Sequence, residues 1–163
     1  EFLMLLTCGY GEAQRKAAEL KVGFERERGA EVLPDGLGLS DSIGRSHPRP
    51  PDPWIAKRIF PGGHIPSLGE MTAVFEPFKF SVLDVENIRL HYAKTLHHWL
   101  ELYEVSKDRV REMFDEKFVR MWRLYLAGSI AGFTTGTLQL FQVVFAPREN
   151  NNVPQNRAHL YGG

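Results

Sequence analysis

The stretch 52–68, Asp-Pro-Trp-Ile-Ala-Lys-Arg-Ile-Phe-Pro-Gly-Gly-His-Ile-Pro-Ser-Leu, leaves the backbone less choice than any other part of the chain. Pro61 fixes its own φ and pushes Phe60 out of the helical region. Gly62 and Gly63 admit positive φ, so a sharp turn with one of them in the left-handed region is predicted there. Ser67 and Glu70 stand at the spacing of a capping box, which starts a helix just after Pro66. Taken alone, such a stretch is a tight connector into a helix.

Upstream, the apolar run 2–6 reads as a short buried strand or a helix start, and leads into Thr7-Cys8-Gly9-Tyr10-Gly11. A strand, a glycine-rich turn and a helix can cradle a nucleotide-type cofactor, and two glycines can equally make an ordinary loop. Residues 12–28 are helix-like, with charges forming a solvated face. Residues 33–36 read as a turn and 37–44 as a strand stopped by Gly44. Pro48, Pro50, Pro51 and Pro53 exclude helix and central strand over 45–53, so a surface loop is expected, carrying exposed Arg45, His47 and Arg49, which could contact an anionic head group, though an exposed basic loop usually does nothing specific. Apolar packing resumes over 54–60.

Downstream, a short helix is expected over 68–75 and a strand over 78–84. Asn87 is placed to cap a helix to about residue 103, with Ile88, Tyr92, Leu96, Trp99 and Tyr103 on one face. Ser106 is expected to cap a second long helix, with Val110, Phe114, Phe118, Met121 and Tyr125 inward and Glu116–Arg120 as an exposed pair. Residues 132–136 read as a turn, 137–145 as a final strand closed by Pro147, and the polar tail beyond as loosely ordered. This order gives an α/β fold, and 163 residues suit one domain with a real core.

Twenty basic and 20 acidic residues cancel, which excludes the basic field of a general nucleic-acid binder. Cys8 is the single cysteine, so an internal disulfide and a cysteine-based zinc site are excluded and a reducing, cytoplasmic setting fits. His91, His97 and His98 do not have a ligand spacing, and no metal is expected. The best apolar window, 124–133, is broken by Gly128, Ser129 and Gly132 and is too short to cross a bilayer.

The central stretch, together with Glu76-Pro77, His91-Tyr92-Ala93-Lys94-Thr95-Leu96 with Trp99, Phe118-Val119-Arg120-Met121-Trp122 and Gln142-Val143-Val144-Phe145, resembles the cyclopropane-fatty-acid synthase family of methyltransferases over roughly 33–145. The resemblance implies the C-terminal portion of a Rossmann-like class I methyltransferase domain with an incomplete sheet, its last strand antiparallel near the sheet edge. About 25 residues between the glycine turn and the 37–44 strand cannot hold the missing strands, since one crossover takes roughly 30. The implied layout is a partial N-terminal segment (1–32), the half-domain (33–146) and a tail (147–163).

The implied reaction moves a methylene or methyl group from S-adenosylmethionine to an unsaturated lipid acyl chain, with bicarbonate as an auxiliary ion. By the family's pattern Tyr92 and Ile43 lie beside that ion, and Asp41 stands where the family has a histidine. The candidate catalytic set is therefore Tyr92, Ile43 and Asp41. Gly9 and Gly11, in a turn lacking the family's acidic residue, are the cofactor-binding candidates. Expected partners are a phospholipid acyl chain, a membrane surface met peripherally at its inner face and, as a further option, a second copy of the chain. The competing expectation is a non-catalytic remnant or binding module of that fold that binds no cofactor.

Overall fold

The computed structural model describes residues 35–158. Three strands form one sheet: β1 (Gly38–Gly44), β2 (Phe80–Asn87) and β3 (Gln139–Pro147), in the order β1-β3-β2. β3 runs antiparallel to both neighbours, pairing Ser40 with Val143 on one side and Val85 with Val143 on the other. The last strand is thus antiparallel, as expected, and lies between the other two described strands, one strand in from the β2 edge. Its composition explains this. Leu140, Phe141, Val143 and Ala146 are all buried, so β3 is apolar on both faces and needs cover on both.

The chain has four described helices, α1 (Pro53–Arg58), α2 (Leu68–Ala73), α3 (Arg89–Met113) and α4 (Glu116–Thr135), and the last three supply that cover. Leu140 packs with Ala93 and Leu96 of α3 and Leu126, Ile130 and Phe133 of α4. Phe141 and Val143 pack instead with Met71 of α2. The sheet therefore separates two apolar clusters, with the α3–α4 hairpin on one side.

The central stretch folds much as its residues dictate. Asp52 accepts from the N–H of Trp54 (2.9 Å) and Ile55 (3.0 Å). Pro53 occupies the first turn of α1, where its missing N–H costs nothing, so the proline-rich loop ends one residue earlier than expected. Pro61 stops the chain from continuing as helix, and Gly62 turns it with a φ of 76°. Ser67 Oγ accepts from the Glu70 N–H while Glu70 Oε2 accepts from the Ser67 N–H at 2.7 Å, the reciprocal capping box of α2. Gly62→Val should lower stability by about 1–2 kcal/mol in a denaturant titration, through backbone strain alone, because nothing lies within 4 Å of a Cβ there. Gly62→Asn, which tolerates the left-handed region, should avoid most of that loss; equal stability of both variants and the parent would remove the strain argument.

Several boundaries differ from the sequence expectation. A 3-10 turn over Glu76–Phe78 and left-handed Lys79 delay β2 to Phe80. Asn87 Oδ1 does accept from the Arg89 N–H (3.2 Å), but α3 then runs through Ser106 to Met113, because no glycine or proline interrupts it. Ser106 is no cap. Asp115 takes that role, its Oδ1 accepting from the Phe118 N–H at 2.6 Å. The phase of α4 shifts accordingly: Val119, Leu126, Ile130 and Phe133 are buried and Phe114 is exposed, while Glu116 and Arg120 do form the exposed pair. α4 also continues through Gly132, and only Gly136, at φ 81°, makes the turn. After β3 the first part of the tail, within the described residues, is held at Asn150 rather than loose. Asn150 is buried, its side chain donates to Gly36 O, and its N–H donates to Pro147 O.

Candidate functional site

A cavity of about 790 Å³ opens between the end of β1, the 45–65 segment and the α3–α4 hairpin. Ile43 of β1, Tyr92 and Leu96 of α3, and Trp122 and Tyr125 of α4 contribute to its wall. β1 presents alternate residues to one face, which brings Ile43 to the hairpin side. Tyr92 lies one turn from Leu96 along α3 and reaches the same wall. Its ring packs edge-on against Phe133 (4.9 Å between centroids) and Trp99 (6.0 Å). Phe60 meets Tyr125 edge-on at 5.6 Å, which ties the turn after α1 to the same wall.

The two tyrosines are neutral hydroxyl donors. Burial pushes the Tyr92 phenol up, and the nearby Tyr125 and Asp41 add to the shift. Burial likewise raises Tyr125, partly offset by its hydrogen bond with Ser129. Among the described residues no protein group takes a hydrogen bond from the Tyr92 hydroxyl.

The structure thus brings Tyr92 and Ile43 onto one wall. Asp41, two residues before Ile43 on the strand, does not line the cavity: it is exposed and accepts from Gln142 Nε2 at 3.3 Å. Gly9 and Gly11 lie outside the described residues. Among the described residues no group of His, Cys, Asp or Glu is arranged to hold a metal, and no helix is long and apolar enough to cross a membrane.

Arg45 was expected on an exposed loop and is instead 5% exposed. Its backbone N–H donates to Pro66 O (2.9 Å), and its Nη1 donates to Arg49 O (3.1 Å) and Pro50 O (2.9 Å). The prolines that exclude regular structure make these carbonyls available to a side chain. Burial lowers the guanidinium pKa, with Arg49 adding to that effect and Asp52 opposing it. Trp54, which the sequence pattern assigns to packing, and Trp122 also line the cavity. The sequence marks Arg45 as one of three basic residues in a proline loop and gives no sign of its burial.

Glu70 links this region to pH. The Ser67 N–H holds its carboxyl below the usual carboxylate range, against a smaller opposing effect of burial. A lowered native pKa contributes stability above the unfolded value and loses it as pH falls through the native one. Glu70→Gln should therefore flatten the acid limb of a stability–pH curve below about pH 4.3 and leave its shape near neutrality alone. An unchanged acid limb would mean the capping box does not persist in solution.

The family described as mycolic acid cyclopropane synthetase matches residues 24–143. A probable fatty acid methyltransferase of Pseudomonas putida is 38% identical over 142 residues, covering 85% of this chain and 36% of the relative. The cyclopropane-fatty-acyl-phospholipid synthase of Escherichia coli K12 is 33% identical over 123 residues, covering 75% of this chain and 32% of the relative. This chain therefore spans about a third of the length of these relatives. The cyclopropane synthase MmaA2 from Mycobacterium tuberculosis superposes with a TM-score of 0.62 at 25% identity, over 69% of this chain and 45% of that one. The mycolic acid cyclopropane synthase CmaA1, solved with SAH and CTAB, gives 0.61 at 26% identity, over 68% and 44%. The fold is that of these methyltransferases, represented here by a three-stranded part of the sheet.

Proposed function

This chain belongs to the mycolic acid cyclopropane synthetase family, and on that premise we propose that it carries part of the active site of a methyltransferase. The donor is S-adenosylmethionine and the acceptor is the double bond of a lipid acyl chain, met at a membrane surface by peripheral contact. The observation that supports this most is the meeting of Tyr92 and Ile43 on one largely apolar cavity wall. The cavity is long enough in apolar side chains to accept hydrocarbon, and Leu96, Trp122 and Phe133 would exclude water from it.

In the reaction, the alkene carbon forms a bond to the sulfonium methyl, the methyl–sulfur bond breaks with its electron pair going to sulfur, and the resulting cation loses a proton. The chain's residues orient the alkene and keep the site dry. The Tyr92 hydroxyl, a donor without a protein acceptor among the described residues, fits a small oxyanion such as bicarbonate beside Ile43. Such an ion, when bound, supplies the base. Asp41 weakens that hold, because its carboxylate, although outside the cavity, places a negative charge that the Tyr92 phenol feels.

That same residue favours a second reading, a non-catalytic relative of the fold. Two measurements separate the readings: S-adenosylmethionine binding by calorimetry, and transfer of its labelled methyl group to vesicles of unsaturated phospholipid. Binding with transfer is the expected result. Absence of both would overturn the catalytic reading and leave the remnant.

A further inference from the structure

The cavity has a polar corner that the proposed reaction does not use. Arg45 is 5% exposed, yet its Nε is buried without a hydrogen-bond partner, and the same holds for Nε2 of His64. Both side chains line the cavity, as does Arg49. They share one edge of it. Arg45 is bonded through its N–H to Pro66 O and bridges to Ser67, while His64 lies beside Glu70, the residue that caps Ser67.

The two carboxylates nearby are already engaged. Asp52 accepts from two backbone N–H groups at the start of α1. Glu70 accepts from the Ser67 N–H, and its Oε1 is 3.6 Å from His64 Nε2, beyond hydrogen-bond reach. Among the described residues neither Arg45 nor Arg49 makes an ion pair. A guanidinium buried this deeply is ordinarily paired, since water is excluded from it. Nη1 is spent on Arg49 O and Pro50 O, and the unpartnered Nε leaves one charge-assisted donor for a tetrahedral or planar oxyanion.

We propose that Arg45, with Arg49 and His64, binds an oxyanion of the phosphate class carried on the lipid, so that the headgroup end of the substrate is held at this corner while its chain occupies the apolar cavity. The proposal rests on the reading of the cavity as an acyl site.

Quenching of Trp54, Trp99 and Trp122, which line the cavity, reports occupancy. The probes are oleyl phosphate, oleyl alcohol and inorganic phosphate, at low salt. Oleyl phosphate should bind roughly tenfold tighter than oleyl alcohol, and Arg45→Gln should cut that preference to about twofold or less without changing oleyl alcohol binding. Arg49→Gln, at an exposed position, should reduce the preference by roughly threefold and stands in if Arg45→Gln does not fold by circular dichroism. Equal binding of the two oleyl probes, or a preference that survives the substitutions, overturns the anion corner while the acyl reading stands. Inorganic phosphate as tight as oleyl phosphate assigns the corner to a free anion and overturns the headgroup role. Binding of phosphate alone, dependent on Arg45, overturns the acyl reading as well as the headgroup role.

Discussion

Tyr92→Phe is expected to lower methyl transfer by roughly 100-fold while changing stability by about 1 kcal/mol or less. The substitution keeps the ring that packs against Phe133 and Trp99 and removes only the hydroxyl. That hydroxyl has no acceptor among the described residues, so folding loses little with it. An active site that uses it to hold an ion near the reacting carbon loses much more. The loss should fall on kcat, with S-adenosylmethionine affinity unchanged. Asp41→His should act in the opposite direction and raise kcat, because it removes a carboxylate whose negative charge reaches the Tyr92 phenol from outside the cavity. Full activity in Tyr92→Phe would take the tyrosine out of the chemistry and return it to the core.

Phe133→Ala should cost about 3–5 kcal/mol, read as a lower urea midpoint at unchanged slope. Phe133 is 1% exposed and sits where both long helices meet β3. Its backbone carbonyl also accepts from Arg89 Nη1 at 2.7 Å, so the side chain and main chain of one residue tie α4 to the start of α3. Truncation opens a void beside Tyr92 that neighbours from three elements cannot close together. Leu124→Ala, at 59% exposure on the same helix, is the control and should move stability by no more than about 0.5 kcal/mol. A shift below about 1 kcal/mol for Phe133→Ala would mean the hairpin is not anchored to the sheet at this point.

What was legible in the sequence was local. The Ser67–Glu70 box and the turn at Gly62 involve residues within a few positions of one another, so spacing alone predicted them. Ser106 was misread because a hydroxyl favours a cap without requiring one, and nothing else nearby breaks α3. The same error set the phase of α4 wrong and sent Phe114 inward on paper. The central place of β3 was hidden because pairing partners lie far off in sequence, and only its continuous apolar run hinted at it. Tyr92 and Ile43 were brought together by resemblance, since a stripe at helical spacing reads first as packing. Arg45 escaped because its burial comes from the fold of a proline loop around it, which no periodicity records.

The order of strands in the sheet bears on how the chain can be made. Among the described strands, β1 and β2 share no hydrogen bonds with each other; each is joined to β3, which is the last of the three to leave the ribosome. Residue 41 waits for residue 142, while the α3–α4 hairpin between them can assemble from neighbours alone. During synthesis the nascent chain therefore carries a helical hairpin and two unzipped strands with open edges. The sheet, and the cavity that needs Ile43 held against the hairpin, come into being together as the final strand slots between them.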